Sequence, residues 1–304
     1  MSQKVFEIVT SEILGLLDQG VVPWKKTWKS CGKGILGEFP INAWGKRYRG
    51  MNIWVLWAVA QRNGYECNQW ATYAQVKKWG GCVIEGEKST SIIHCAPVYV
   101  EVEEEKDGVK NTVKKLSHWS TRYFNVFNIA QTDLYEQWKK DNLDPLEEEE
   151  VSFDPIEACE SIVSGYVQCP PIGFGGNKAY YSPCDDRIQM PKKEDFESSE
   201  AYYATLFHEL AHSTGAEGRL GRKGVTNFDF FGSHTYSQEE LVAEICSAFL
   251  CGYTGISQAT IENSASYIES WSRKLQENPK WFHFASMQAQ KAFELILGEK
   301  LDDE

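Results

Sequence analysis

A chain of 304 residues is too long for a disulfide-stapled mini-protein and has room for two ordinary domains, each with a core of its own. Hydrophobic residues at 42% beside 24% charged exclude a disordered or fibrous chain. The formal charge of -12 hides an asymmetry: residues 1–130 hold 17 Lys+Arg against 12 Asp+Glu, whereas residues 131–304 hold 14 against 31. The two halves therefore face different partners.

From the N-terminus, Val5, Ile8, Val9, Ile13, Leu16 and Leu17 recur on one helical face, which predicts a helix over 4–19 capped by Gly20. Glu7 and Glu12 interrupt what a secretory leader needs as an unbroken apolar core. The longest apolar stretch, MNIWVLWAVA, falls short of the roughly 18 residues of a membrane span. The expected setting is the cytoplasm, with no membrane partner. Nine cysteines without a C-x-x-C pair fit that setting as reduced, mostly buried thiols.

A loop rich in Trp, Lys and Gly runs from VVPWKKTWKSCGKG to NAWGKRYRGMN, and helices are predicted near 51–62 and 70–79. SIIHCAPVYVEV and HWSTRYFNVFNI then read as two strands of a hairpin turning at Asp107-Gly108. The acidic, proline-containing KKDNLDPLEEEEVSFDP reads as a linker over 139–155, between domains at 1–138 and 156–304. Beyond it, GFGGN lacks the Gly-Lys-Ser/Thr of a phosphate loop and predicts a tight turn. GNKAYYSPCDDRIQMP predicts an exposed edge strand and a turn, a place where an extended peptide could add as a further strand. Helices follow over 198–214 and 237–251. The tail is helical, with Tyr267, Trp271 and Leu275 at core-facing spacing and a break at Asn278-Pro279. The fold class is α+β in two domains.

Eight of the eleven tryptophans lie in the basic part, and PWKKTW and WGKRYRGMN interleave rings with cations. Exposed bases stack on rings while cations follow phosphates, so this pattern suits single-stranded nucleic acid. The competing reading places those tryptophans in a small domain's core.

The sharpest chemistry is TLFHELAHSTG. On a helix His208 and His212 stand one turn apart on one face, where both imidazoles reach a single ion, and Glu209 sits beside the first as a general base. This H-E-x-x-H spacing predicts a zinc (Zn2+) hydrolase, which keeps three protein ligands and one open position. Gly218 stands where the longer histidine-rich version of the motif has its third histidine, so that class is excluded. EELVAE offers Glu240 as third ligand, with Glu244 a turn on to hydrogen-bond a ligating histidine; His234, Glu239 and Asp229 are the alternatives. Zinc would acidify water and polarise a scissile carbonyl while Glu209 moves the proton. Tyr236 or His234 would donate to the oxyanion.

The order VPW, YRGMN, YFNVFNIAQ, YYSP, IQMP, FHELAHSTG, EELVAE and YIESW resembles the ArdC-type antirestriction proteins across nearly the whole chain. The resemblance implies an N-terminal single-stranded-DNA-binding domain, a C-terminal zincin-like metallopeptidase domain acting on a protein or peptide, and a role in bringing mobile DNA past restriction. It carries the metal site onto His208, Glu209 and His212 and supports the EELVAE segment for the third ligand. It points DNA contacts to the region around Trp24 and Lys46 to Asn52, where Trp24, Lys25, Lys46, Arg47, Tyr48, Arg49 and Asn52 are the candidates. Two rival expectations accompany it: DNA coating with a purely structural zinc site, and a DNA-dependent protease of proteins crosslinked to DNA.

Overall fold

The computed structural model describes residues 3–20, 22, 39–106, 109–142, 155–226, 234–256 and 265–298. Helix α1 (Gln3–Leu17) buries Val5, Val9, Ile13, Leu16 and Leu17 of the predicted apolar face, with Ile8 partly buried and Phe6 buried in addition, and Gly20 closes it with a positive φ of 77°. Helix α2 (Met51–Asn63) is buried over Met51 to Ala60, an all-round apolar surface that only an interior helix carries. The stretch 70–79 divides into β1 (Trp70–Thr72) and α3 (Tyr73–Lys78). Propensity favoured one helix there, but Trp70 pairs with Asn128 at the sheet edge, and Thr72 then caps α3 in a reciprocal box with Gln75. Strands β2 (Thr90–Lys106) and β3 (Val109–Asn128) form a long antiparallel ribbon, and β1 pairs only with its base. The predicted turn residues Asp107 and Gly108 lie outside the described residues.

Helix α4 (Tyr135–Asn142) ends the N-terminal half, and α5 (Pro155–Gly165) opens the C-terminal half. Most of the predicted linker, 143–154, lies outside the described residues. A small mixed sheet follows in the order β4 (Ile172–Phe174), β6 (Arg187–Met190), β5 (Tyr180–Ser182), so β5 is an edge strand. In GFGGN the strand takes more than was expected: Gly173 and Phe174 end β4, paired with Gln189 and Met190, and the chain bends only after them, with φ of 122° at Gly175 and 74° at Gly176. Helices α6 (Ser199–Ser213), α7 (Lys223–Thr226), α8 (His234–Thr254), α9 (Ala265–Glu277) and α10 (Trp281–Leu297) complete the chain. No helix among the described residues is long and apolar enough to cross a membrane.

One hydrophobic cluster joins the halves where separate cores were expected. Phe39, Trp54 and Trp57 pack with Phe249 and Phe293, rings from α8 and α10. A small satellite cluster around Cys67, Ala71, Val76 and Ile129 lies under α3 and α4. At roughly 1.5–3 kcal/mol per buried large side chain, the shared aromatic layer binds the two halves strongly. The same layer answers part of the tryptophan question, because Trp54, Trp57 and Trp70 are buried in it.

Candidate metal centre and basic loop

Helix α6 begins where the Ser198 hydroxyl accepts the backbone N–H of Ala201, with Glu200 in the first turn favouring the helix N-terminus. Its buried face, Tyr203, Phe207, Leu210 and Ala211, packs on α8. The two histidines emerge at the edge of that contact, one turn apart, with their rings 4.7 Å apart and near perpendicular. Nε2 of His208 and Nε2 of His212 approach to 3.1 Å. Glu240 on α8 completes a triangle, its carboxylate oxygens 3.5 Å from each of those nitrogens. Zinc bound at about 2.0–2.2 Å by tetrahedral ligands spaces them about 3.3 Å apart, so this donor set fits a divalent ion. The three side chains remain 24%, 14% and 28% exposed, so the triangle is not sealed from solvent.

His212 shows what the site favours. Burial works against its charged form, yet the hydrogen bond with Glu239 and the charges of Glu240, Glu239 and Glu209 push its imidazole up to about 9. Three carboxylates thus favour positive charge at His212. Glu209 itself is buried beside the histidine pair.

The carboxylate behind His212 is Glu239, 3.3 Å from Nδ1 and one position before Glu240. Consecutive helix residues point about 100° apart, which lets Glu240 face the ion position while Glu239 turns inward. Glu244 is half-buried one turn further along α8. Arg222 holds Glu239 in place: Nη2 donates to Oε1 at 2.6 Å and Nε to Oε2 at 2.9 Å. Its remaining donors reach Thr214 Oγ1 and the Ala211 carbonyl at 2.6 and 2.8 Å. Burial raises the Glu239 carboxyl, but the Arg222 guanidinium and His212 outweigh it and hold the group below its ordinary range.

This approach depends on two glycines. A Cβ at Gly224 would lie 2.7 Å from Glu239 Cβ, and one at Gly215 would lie 2.4 Å from Val225 Cγ2. Arg222 was not among the predicted residues; its signal is the cation within the glycine-spaced run GAEGRLGRKG that follows the motif. Asp229 lies outside the described residues, and for His234 and Tyr236 only the helical backbone is described.

The N-terminal candidates separate into committed and open groups. Asn52 is buried, and its amide both donates to the Ile93 carbonyl at 2.7 Å and accepts the Ile93 N–H at 2.9 Å, tying α2 to β2. Tyr48 is buried as well. Arg49 pairs with Glu294 of α10 at 2.8 Å, and its neighbour Gly50 donates to Gln290 at 2.6 Å. Arg47 lies over the Phe39 ring at 5.7 Å. Lys46 is exposed, and Trp44, outside the predicted set, is 74% exposed. Trp24 and Lys25 lie outside the described residues.

Residues 3–127 match the family model described as the N-terminal domain of anti-restriction factor ArdC, and residues 167–288 match the zincin-like metallopeptidase model. The protein y4eC of Sinorhizobium fredii is 30% identical over 303 residues, spanning 98% of this chain and 93% of that protein. DNA primase TraC of Escherichia coli is 34% identical over 305 residues, 96% of this chain but only 27% of the primase. Crystal structures of the antirestriction protein ArdC from plasmid R388 superpose with a TM-score of 0.68 in both metal-free and Mn(II)-bound forms. The metal-free form is 30% identical, and the match covers 97% of each chain.

Proposed function

The chain belongs to the ArdC antirestriction protein family, and we propose that it is a zinc-dependent peptidase working on proteins at single-stranded DNA, so protecting incoming mobile DNA. The observation that carries this reading is the convergence of His208, His212 and Glu240 with Glu209 buried alongside. A purely structural site needs no general base at that position. The Mn(II)-bound relative supports a divalent metal, and the nitrogen-rich donor set favours zinc.

His208, His212 and Glu240 would hold the ion, which when bound supplies Lewis acidity, polarising a carbonyl and acidifying water. Glu209 takes a proton from the attacking water on its carboxylate and hands it to the leaving amine. Glu239, locked by Arg222, keeps His212 in the tautomer that presents Nε2. Tyr236, one turn ahead of Glu240 along α8, is the proposed donor to the oxyanion. The β5 edge is the proposed seat of an extended substrate backbone. The boundary between the two activities falls over 139–155, and the basic loop around Lys46 serves the DNA side. Holding both on one chain raises the effective concentration of peptidase at DNA-bound proteins.

The test is Glu209→Gln in the full chain, given Zn(II), single-stranded DNA and candidate proteins, with fragments read by mass spectrometry. Zinc content and DNA affinity should match the wild type while fragments disappear. Fragments at wild-type rates from E209Q would remove Glu209 from the chemistry. Undiminished protection of DNA by E209Q would assign protection to DNA coating.

A further inference from the structure

A cavity of about 490 Å³ opens between the basic loop, the start of α3 and the β2–β3 ribbon, within the roughly 300–1,000 Å³ typical of small-molecule sites. Its walls are largely apolar, with Ile92 and Phe124 among them, and the His94 ring meets Phe124 edge-on at 5.9 Å. Three carboxamides also line it; that of Asn52 is engaged at both ends with Ile93, and those of Asn42 and Gln75 are engaged, among the described residues, only through their oxygens. The Asn42 side-chain oxygen accepts the backbone N–H groups of Trp44 and Lys46 at 2.9 and 3.0 Å. The Gln75 side-chain oxygen accepts the N–H and hydroxyl of Thr72 at 2.7 and 2.9 Å. Each oxygen is thereby fixed, which sets the amide orientation and leaves each NH2 group without a recorded partner among the described residues. Trp44 and Lys46 also line it, and Lys46 has no ion pair among the described residues.

We propose that this cavity takes a single unstacked base of single-stranded DNA, with Trp44 as stacking platform, the Asn42 and Gln75 amides donating to base carbonyl or ring-nitrogen acceptors, and Lys46 on the flanking phosphate. The proposal rests on the single-stranded-DNA reading above and adds to it the site and the part of the nucleotide recognised. Each part of the lining answers one feature of that ligand. An apolar slot accepts a π-face, paired NH2 donors match the acceptors that bases carry on one edge, and a free cation matches the phosphodiester. A free anion would leave the apolar walls unused, and an apolar peptide side chain would leave the two donors unmatched.

The experiment measures anisotropy of the full chain with two labelled single strands of equal length and charge. One is oligo(dT) and the other an abasic sugar-phosphate chain. The wild type should bind oligo(dT) about tenfold more tightly than the abasic strand, and Trp44→Ala should abolish that preference while leaving abasic binding unchanged. Asn42→Asp and Gln75→Glu keep the oxygens that hold the loop and cap α3 but remove the donors. They should reduce the preference between strands whatever their added charge does to both. Equal wild-type affinity for the two strands would overturn the base pocket and leave the DNA reading standing, as would a preference untouched in all three variants. Failure of the wild type to bind either strand would overturn both. Trp44 is exposed enough for its variant to fold, and matched melting curves check this.

Discussion

The metal centre and the basic-loop cavity are built on opposite plans. Around His212 nearly every polar atom is engaged: Glu239 answers the histidine, Arg222 answers Glu239, and Thr214 and the Ala211 carbonyl answer Arg222. Around the cavity, the Asn42 and Gln75 carboxamides are half engaged, and an indole and an ammonium face outward. A site that must hold an ion in fixed geometry benefits from rigid, satisfied partners, whereas one that accepts a mobile strand keeps donors in reserve. The difference teaches that the same substitution chemistry reads as lost stability in one place and lost binding in the other.

The largest effect should come from unlocking the buried pair. Glu239→Ala strands the Arg222 guanidinium in the interior, and breaking such a pair costs about 3–5 kcal/mol. Denaturant unfolding of the metal-free chain measures this. Glu239→Gln retains the shape and one acceptor, so it should cost less stability while zinc affinity falls about 10–100-fold, read by competition with a chelating dye. Wild-type zinc affinity in E239Q would show that His212 needs no such brace.

How much of this was legible depends on the distance over which residues act. The pair His208 and His212 follows from helical period alone, and Ser198 signals the helix start, so that part of the site reads directly from TLFHELAHSTG. Arg222 reaches Glu239 only through the fold of a glycine-bearing loop, and no local pattern announces a partner 17 residues away. In WGKRYRGMN, composition counts rings and charges but not the other duties of the loop. Asn52 must tie α2 to β2 within the N-terminal half and Arg49 must meet α10 across the halves, so the residues most suggestive of DNA contact are partly the ones holding the fold together. The strand at Trp70–Thr72 was hidden for a related reason, since its pairing partner Asn128 lies far along the chain.

His283 sharpens the comparison from the core between the two regions. It sits where α1, β2 and α10 meet, its ring 4.9 Å from Phe6 and Nε2 4.0 Å from Cys95 Sγ. Burial lowers its imidazole to about 4, against about 6.5 in the unfolded chain. Between those values the unfolded state binds a proton that the folded state refuses. Stability is therefore complete above about pH 6.5 and declines as pH falls towards 4, by about 3 kcal/mol over the window. His283→Leu should flatten that part of the stability–pH curve relative to wild type, as measured by urea titration at a series of pH values.

Asn52→Ala should come next, at about 2 kcal/mol, because it removes two hydrogen bonds and leaves the buried N–H and carbonyl of Ile93 unanswered. Any loss of DNA affinity in this variant should track its loss of folded protein. A DNA defect in fully folded N52A would instead place Asn52 at the interface.

Lys46→Gln is the smallest structural change and the cleanest separation of the two plans. The ammonium is exposed and without an ion pair among the described residues, so the unfolding free energy should stay within the range of ordinary surface substitutions, about 0.5 kcal/mol. If Lys46 neutralises one phosphate, its removal should weaken single-strand binding for every sequence alike. It should also shrink the slope of log affinity against log salt by about 0.7, the counterion share of one contact on a single strand. An unchanged slope would move the phosphate contact elsewhere on the basic half, whereas a fall in stability would show that the cavity rim, like the metal centre, is already spoken for by the fold.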